Sequence, residues 1–271
     1  MTSTRRLQPA VRWLWILALL AFGIAPSALF FAWVERNSSL PWVPQQLGWP
    51  WVYLTAAADS PWVASLWNMA LFLGFGVLHS SLAQEPARRA LRRLVPAQCV
   101  RASYLILSTG LPLLLIMGLW QHTGRLAWVA PLPQEQAYLL SGALFVSFLA
   151  LAARIMSRFD PLEFLGLIQL FSTVREVEAM DHPEGRLIRD GLYSRVRHPM
   201  YLFTCAAFLV TPVMSWDRLL LSLTMVAYLR VAIPIEERKL VARFGEDYRR
   251  YQKEVPALFP LRPSSASVDR S

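Results

Sequence analysis

The segment GLYSRVRHPMY, residues 191–201, concentrates polar side chains directly before an apolar run. The side chains that could do chemistry there are Tyr193, Arg195, Arg197, His198 and Tyr201. Because a proline is favoured in the first turn of a helix, where its missing N–H needs no partner, Pro199 predicts a helix start. The N-terminus of a helix carries positive potential and free N–H groups, which favour an anionic ligand group. Interface anchoring by the same arginines and tyrosine is the second interpretation.

A pair of carboxylates, Glu236 and Glu237, directly follows a later apolar run. Acidic side chains at membrane depth are costly, so they are candidates for function. The residues beyond them repeat apolar and aromatic side chains at helical steps of three and four, at Leu240, Phe244, Tyr248 and Tyr251. This pattern predicts a helix packed on the membrane-embedded bundle. The alternative is an ordinary ion pair between Glu236 and Lys239 on a solvated helix.

The composition indicates that these groups belong to a membrane protein and not to a soluble one. The chain is 55% hydrophobic and only 17% charged, whereas soluble domains carry about 25% charged residues. The net charge of +9 comes from arginines placed between apolar segments, which argues against a nucleic-acid partner. Cys99 and Cys205 have no ligand or redox spacing, and the histidines have no metal-ligand spacing, so we expect no metal.

Apolar runs long enough to span a membrane recur along the chain. They lie at 11–34, 62–83, 103–120, 137–156 and 200–235. The last run is too long for one helix, and SWDR at 215–218 has the composition of a turn, so we predict a helical hairpin with a short first arm. The sequence therefore predicts an all-α polytopic membrane bundle of about six transmembrane helices.

The segments that connect these runs are alternately rich and poor in arginine and lysine. Seven arginines lie between Arg154 and Arg197, whereas 35–61 and 121–136 carry one each. The positive-inside rule then places both termini in the cytoplasm. The segments 157–199 and 236–262 therefore share the cytoplasmic face, and the Trp- and Pro-rich segment 35–61 lies on the other.

A hairpin brings its two ends together, so the residues around His198 and Tyr201 should meet Glu236 and Glu237. Carboxylates bind an ammonium group or ribose hydroxyls, cations and N–H groups bind a carboxylate, and aromatic faces attract a sulfonium. The predicted site therefore suits a zwitterionic, nucleotide-like ligand.

The two motifs together resemble the isoprenylcysteine carboxyl methyltransferase superfamily. The resemblance rests on GLY…RVRHPMY, a helical hairpin, and then EERKLVARFGEDYRRYQKEVPALFP, over roughly 185–260. Further stretches, LFLGFGVLHSSLAQEPARRAL, RASYLILSTGLPLLLIMGLW and FDPLEFLGLIQL, are similar to the bacterial methanethiol S-methyltransferases and the NnrU-type membrane proteins. The resemblance then covers most of 66–260.

This resemblance implies a bacterial inner-membrane enzyme that binds S-adenosylmethionine at the cytoplasmic edge. The cofactor-binding residues implied by the motif are Gly185, Arg186, Leu187, Ile188, Tyr193, His198, Pro199, Met200, Tyr201 and Glu236. Residues 1–156 then form a four-helix membrane region, 157–262 the cofactor-binding region, and 263–271 a disordered tail. The carboxyl methyltransferases carry a substrate-contacting Arg where this chain has Ala232, which favours a small or neutral acceptor over a prenylated carboxylate.

The implied reaction is S-methylation of a small thiol such as methanethiol to dimethyl sulfide, in contact with membrane lipids. His79 and Glu237 are the candidate proton acceptors, although a polar pair such as His79-Ser80 more often makes an interhelical hydrogen bond. Three alternatives stay open: methylation of a lipid or isoprenoid-type acceptor, an NADPH-dependent membrane reductase, and a non-catalytic NnrU-type protein.

Overall fold

The computed structural model describes residues 5–39, 60–121, 123, 125–158, 160–181 and 187–259. Within these ranges the chain is a helical bundle with one short antiparallel pair of strands that are distant in sequence. The helices are α1 (Pro9–Leu19), α2 (Ala25–Ser39), α3 (Pro61–Leu82), α4 (Glu85–Leu94), α5 (Val100–Leu105), α6 (Leu111–Leu119), α7 (Gln134–Met156), α8 (Pro161–Phe164), α9 (Leu167–Phe171), α10 (Val174–Asp181), α11 (Pro199–Leu209), α12 (Trp216–Phe244) and α13 (Glu246–Glu254). The strands are β1 (Leu126–Val129) and β2 (Val213–Ser215), which pair antiparallel.

The membrane architecture predicted from the apolar runs is confirmed. Five helical stretches in the described part of the chain are long and apolar enough to span a bilayer, and α11 is a shorter apolar helix. The five stretches are Pro9–Val34, Pro61–Leu82, Ala97–Leu119, Gln134–Met156 and Trp216–Phe244. Large apolar side chains such as Leu14, Leu66 and Val146 are exposed on these helices, as expected where lipid is the solvent. The predicted tail 263–271 and most of the segment 35–61 lie outside the described residues.

Two of the spanning stretches contain a π-helical turn, and a proline explains each one. The turn Leu20–Ile24 comes just before Pro26, and the turn Ile106–Gly110 comes just before Pro112. A proline has no N–H to donate to the carbonyl four residues earlier, so the regular ladder is interrupted there. The two turns pack against each other, and a Cβ added to Gly110 would lie 1.8 Å from the carbonyl oxygen of Phe22.

The predicted hairpin is formed by α11 and α12. The prediction of a turn at 215–218 is wrong, because the chain reverses earlier, through 210–215. Ser215 caps α12, with its hydroxyl accepting from the N–H of Arg218 at 3.1 Å, so Trp216 already belongs to the helix. The buried Arg218 donates to the carbonyls of Phe208 and Ala207 at 2.9 and 2.7 Å, which satisfies the end of α11.

The helices α3 and α12 run parallel across the bundle. At one end the indole N–H of Trp216 donates to Ser65 Oγ at 2.9 Å. At the other end Lys239 Nζ donates to the carbonyl of Ala83 at 3.1 Å, so Lys239 is not used for the alternative ion pair with Glu236. The C-terminal part of α3 therefore lies at the same end of the bundle as Glu236 and Glu237.

A continuous aromatic core connects α2, α3, α7 and α11. Its buried rings include Phe30, Trp33, Phe72, Phe145 and Phe208. Tyr201 and Tyr228 pack against the edge of this core, so both tyrosines have apolar rings inside the bundle and polar tips near its end. The core thus fixes the positions from which the polar groups of the site project.

Candidate active site

The two ends of the hairpin meet as the sequence predicts. The hydroxyl of Tyr201, in the first turn of α11, donates to Glu236 Oε2 at 2.9 Å. The His198 ring stacks on the Tyr201 ring with centroids 5.4 Å apart and planes 10° apart. The Glu236 side chain remains 44% exposed, so its carboxylate is accessible to a ligand.

The neighbouring carboxylate, Glu237, is in a very different environment. Its side chain is 9% exposed, and Oε1 accepts from Arg197 Nε at 2.6 Å and lies 3.0 Å from His198 Nε2. Its Oε2 accepts from Arg197 Nη2 at 3.1 Å and from Gln252 Nε2 at 2.8 Å, and the Tyr248 hydroxyl approaches Oε1 at 3.4 Å. Both oxygens are therefore engaged by groups from α13 and from the two residues before α11.

Arg197 connects this buried carboxylate to the end of the described chain. Its Nη1 donates to the carbonyls of Gln252 and Val255, the first at 3.0 Å. Its backbone N–H donates to the carbonyl of Pro256 at 2.9 Å, and that of His198 donates to Ala257 at 3.0 Å. The segment after α13 is thereby held against the start of α11, which fixes the orientation of His198.

The segment before α11 packs on α13 through aromatic contacts. Leu187 contacts the buried cluster formed by Tyr248, Tyr251 and Val255. The Tyr251 hydroxyl donates to the carbonyl of Tyr193, which lies in the 3₁₀ turn Gly191–Ser194. Gly191 has a φ of 61°, a left-handed conformation that glycine adopts without steric cost, as the Asp190-Gly191 turn signal indicates.

The ionisation of these phenols reflects their surroundings. Burial raises the pKa of Tyr193, and the negative charge of Glu236 raises it further, while Arg158 lowers it. Tyr193 is therefore within electrostatic reach of Glu236. Burial likewise raises the pKa of Tyr248 and Tyr251, against the opposing effect of Arg197.

The structure brings most of the predicted cofactor residues to one place. Tyr193, His198 and Tyr201 lie around the accessible carboxylate of Glu236, and Pro199 and Met200 belong to the first turn of α11, between His198 and Tyr201. Leu187 and Ile188 are half-buried on the approach to this turn. The other two predicted residues, Gly185 and Arg186, lie outside the described part of the chain.

A second polar cluster surrounds His79 near the end of α3. His79 Nε2 is 3.2 Å from the Tyr104 hydroxyl, and Nδ1 is 3.3 Å from both the Ser108 carbonyl and the Thr109 hydroxyl. The neighbouring Ser80 hydroxyl is 2.7 Å from that of Tyr228 on α12. The interhelical hydrogen bonds expected of a polar pair in a membrane are therefore present.

Tyrosine side chains of the two clusters lie near one another. The hydroxyls of Tyr104 and Tyr228 are near enough to that of Tyr201 for electrostatic interaction, although the three residues come from α5, α12 and α11. Tyr228 precedes Glu236 by eight residues, about 12 Å along α12. A chain of polar groups therefore leads from the accessible carboxylate of Glu236 towards His79.

Sequence reasoning missed several of these contacts. Arg197 is named from the sequence as a side chain that could do chemistry or anchor at the interface, but its buried pairing with Glu237 is not expected from the sequence. Gln252 has no sequence signal as a partner of Glu237. Pro112 was a usable signal, because it indicates that the Ser108 carbonyl cannot have its α-helical donor. Among the described residues no group of three or more His, Cys, Asp or Glu is placed to hold a metal ion.

The fold and this site define an integral membrane protein with an accessible polar site at one end of its bundle, closed by a helical hairpin. The family model for phospholipid methyltransferases matches residues 143–247, which include both arms of that hairpin. The methanethiol S-methyltransferase 2 of Bradyrhizobium diazoefficiens is 34% identical over 205 residues, covering 73% of each chain. The methanethiol S-methyltransferase of Pseudomonas deceptionensis is 33% identical over 214 residues, covering 76% of this chain and 77% of its own.

The chain therefore belongs to the family of the methanethiol S-methyltransferases, contains a phospholipid methyltransferase domain at 143–247, and is an integral membrane methyltransferase. This confirms the superfamily resemblance drawn from the two motifs. The chain is also similar to the protein Nurim of Rattus norvegicus, at 31% identity over 194 residues, covering 69% of this chain and 72% of that one. No solved structure matches the chain.

Proposed function

We propose that the protein transfers a methyl group from S-adenosylmethionine to a small thiol such as methanethiol, giving dimethyl sulfide. The observation that carries this proposal is the accessible Glu236 carboxylate, oriented by Tyr201 and flanked by stacked aromatic rings. An exposed carboxylate beside aromatic faces fits a ligand that carries ribose hydroxyls, an ammonium group and a sulfonium. The names of the bacterial relatives support the choice of thiol.

S-adenosylmethionine supplies a methyl group on a positively charged sulfur. In our proposal Glu236 and Tyr193 hold its polar groups, and the His198–Tyr201 turn covers one side of it. Leu187 and Ile188 complete the enclosure, and we propose that Gly185 and Arg186, which precede them in the sequence, also bind the cofactor. The protein then contributes orientation and exclusion of water, which are the main sources of rate when the cofactor carries the reactive group.

Of the two candidate proton acceptors, the geometry favours His79. Glu237 already accepts hydrogen bonds from Arg197 and Gln252 at both oxygens, so protonating it would disrupt the network that positions His198. We therefore assign Glu237 to positioning. His79 lies inside the bundle, where a lipophilic thiol arriving through the bilayer would meet it.

The acceptor is small and uncharged in this proposal. The place of the substrate-contacting Arg of the carboxyl methyltransferases is Ala232, a half-buried residue one turn before Glu236 on α12. A carboxylate substrate would have no cation there, whereas a neutral thiol needs none. Phospholipid amines remain the second acceptor class, because the matching family model is that of phospholipid methyltransferases.

The arrangement in the membrane is also part of the proposal. The segments rich in arginine lie at the end of the bundle that holds Glu236, as the link from Arg158 Nη1 to Asp190 at 2.7 Å and the contact of Lys239 with Ala83 illustrate. The positive-inside rule then places this site and both termini in the cytoplasm of a bacterial cell, with the protein in the inner membrane. Reporter fusions at each terminus test this orientation.

The deciding experiment combines binding and turnover in the detergent-purified protein. Calorimetry should detect S-adenosylhomocysteine, and headspace gas chromatography should detect dimethyl sulfide when S-adenosylmethionine and methanethiol are supplied. Glu236→Ala should abolish both signals. The matched control is Glu246→Gln, a carboxylate on α13 that is 79% exposed and pairs with Arg249, and it should retain both. If Glu236→Ala still binds S-adenosylhomocysteine, the proposed cofactor site is contradicted. If the wild type binds NADPH and not S-adenosylhomocysteine, the reductase is indicated.

A further inference from the structure

A hydrogen-bonded chain inside the bundle ends at His79, and the Ser108 carbonyl beside Nδ1 favours one of the two tautomers of the ring. The Ser108 carbonyl can only accept, so the His79 Nδ1 that lies 3.3 Å from it carries the hydrogen. His79 Nε2 therefore has a free lone pair and accepts from the Tyr104 hydroxyl at 3.2 Å. The Tyr104 oxygen also interacts with the Ser108 side chain, which leaves one lone pair to receive a hydrogen from a further group.

The protein has a local reason to hold His79 in this tautomer. Pro112 cannot supply the N–H that the Ser108 carbonyl would accept in a regular α-helix, so that carbonyl turns to a side-chain donor. The π-helical turn Ile106–Gly110 also directs the Thr109 hydroxyl to the same Nδ1 at 3.3 Å. Histidine tautomers are set by the partner of the distal nitrogen in this way.

We propose that Tyr104 is a catalytic residue that contacts the acceptor thiol and passes its proton to His79, with Ser108 and Thr109 as positioning groups. This inference rests on the proposed thiol acceptor. The thiol S–H bond breaks and its electron pair stays on sulfur, which becomes the nucleophile. The proton moves to the Tyr104 oxygen as the Tyr104 proton moves to His79 Nε2, and His79 becomes an imidazolium.

The surroundings of Tyr104 agree with this role. Its hydroxyl is within electrostatic reach of those of Tyr201 and Tyr228, so it faces the space that leads to Glu236. The Arg101 guanidinium lies 5.3 Å from the centre of its ring, which holds the ring of Tyr104 in place by a cation–π contact. Val77, Leu78 and Leu107 are exposed on the outside of the bundle on the same turns, where an apolar acceptor in the bilayer would meet the protein.

The test compares two thiols of similar shape but different acidity, ethanethiol and the much more acidic 2,2,2-trifluoroethanethiol. Proton transfer to a positioned base contributes typically 10²–10⁴-fold, so Tyr104→Phe should lower kcat on ethanethiol by about 100-fold. The same variant should lose far less of its kcat on trifluoroethanethiol, assayed at an alkaline pH where this thiol is already largely ionised. His79→Gln should show the same pattern and serves as the second variant. Tyr138→Phe, on α7 and outside both clusters, should behave as the wild type on both thiols.

Two measurements separate the proton relay from simple damage to the site. S-adenosylhomocysteine affinity should be unchanged in Tyr104→Phe. In infrared difference spectra without a methyl donor, the S–H stretch of bound ethanethiol should be lowered in the wild type and shift back in the variant. Equal loss on both thiols, or no loss on either, would overturn the relay while leaving the methyltransferase proposal intact. A wild type that binds S-adenosylhomocysteine but methylates no thiol would instead overturn the proposed acceptor, and the relay with it.

Discussion

The hydroxyl of Tyr201 donates to Glu236 Oε2 at 2.9 Å, although 35 residues and a helical hairpin separate the two. This bond joins the first turn of α11 to the last turns of α12 and orients the one accessible carboxylate of the motif pair. The adjacent Glu237 is buried and has different partners, Arg197 and Gln252. Two consecutive glutamates therefore have separate tasks: one faces the ligand, and the other holds the site together.

Removing the orienting hydroxyl should weaken donor binding without abolishing it. In Tyr201→Phe the Glu236 carboxylate loses one hydrogen bond, of a kind worth about 1.5–3 kcal/mol when the acceptor is charged, but it remains exposed and keeps its charge. We expect S-adenosylhomocysteine affinity to fall by roughly 10-fold. Calorimetry on the purified variant measures this change, and an unaltered affinity would show that the hydroxyl does not orient Glu236.

Neutralising Glu237 should destabilise the folded protein and not only lower its catalytic rate. Glu237→Gln leaves Arg197, whose side chain is 10% exposed, without its negative partner, and breaking one half of a buried ion pair costs about 3–5 kcal/mol. We expect a clearly lower unfolding temperature in detergent. The exposed pair of Glu246 and Arg249 provides the control, because Glu246→Gln should change stability by less than about 1 kcal/mol. Equal melting of the two variants would contradict the positioning role.

The buried phenols of the C-terminal segment predict a loss of stability in alkali. Burial raises the pKa of Tyr193, Tyr248 and Tyr251 above that of the unfolded chain. Their contribution is therefore fully present below the unfolded value of about 10 and is lost as the pH rises through the folded-state values. The unfolding temperature should begin to fall near pH 10 and continue to fall at higher pH, and Tyr248→Phe should make this fall shallower. Parallel curves for the two proteins would refute the assignment to Tyr248.

The two π-helical turns cross so closely that adding one methyl group at Gly110 should severely destabilise the protein. In Gly110→Ala the new Cβ would lie 1.8 Å from the carbonyl oxygen of Phe22, which is backbone and cannot rotate away. We expect a loss of more than about 4 kcal/mol or failure to fold. The matched substitution Gly142→Ala, on α7, meets nothing within 4 Å and should be neutral or stabilise by up to about 1 kcal/mol. Size-exclusion chromatography and thermal unfolding of both variants compare the two sites.

Much of the architecture follows from the sequence because it depends on local composition. The apolar runs predict the spanning helices, Pro199 predicts the start of α11, and the helical steps at Leu240, Phe244 and Tyr248 predict a packed face. Boundaries are less certain from sequence, as the turn at 215–218 shows. There the polar residues that suggest a turn instead cap α12 and, in Arg218, satisfy the carbonyls at the end of α11.

The sequence by itself determined the membrane bundle, the hairpin and the meeting of the RHPMY block with the two glutamates. Only the tertiary structure decided which glutamate is accessible, since Glu237 is distinguished from Glu236 by contacts with Arg197 and Gln252 that no local pattern reports. The same holds for the cluster around His79, where the hydroxyls of Ser80 and Tyr228 meet across 148 residues of sequence. Hydrogen bonds require atoms to approach within about 3 Å, and in a membrane bundle the packing of distant helices sets that approach.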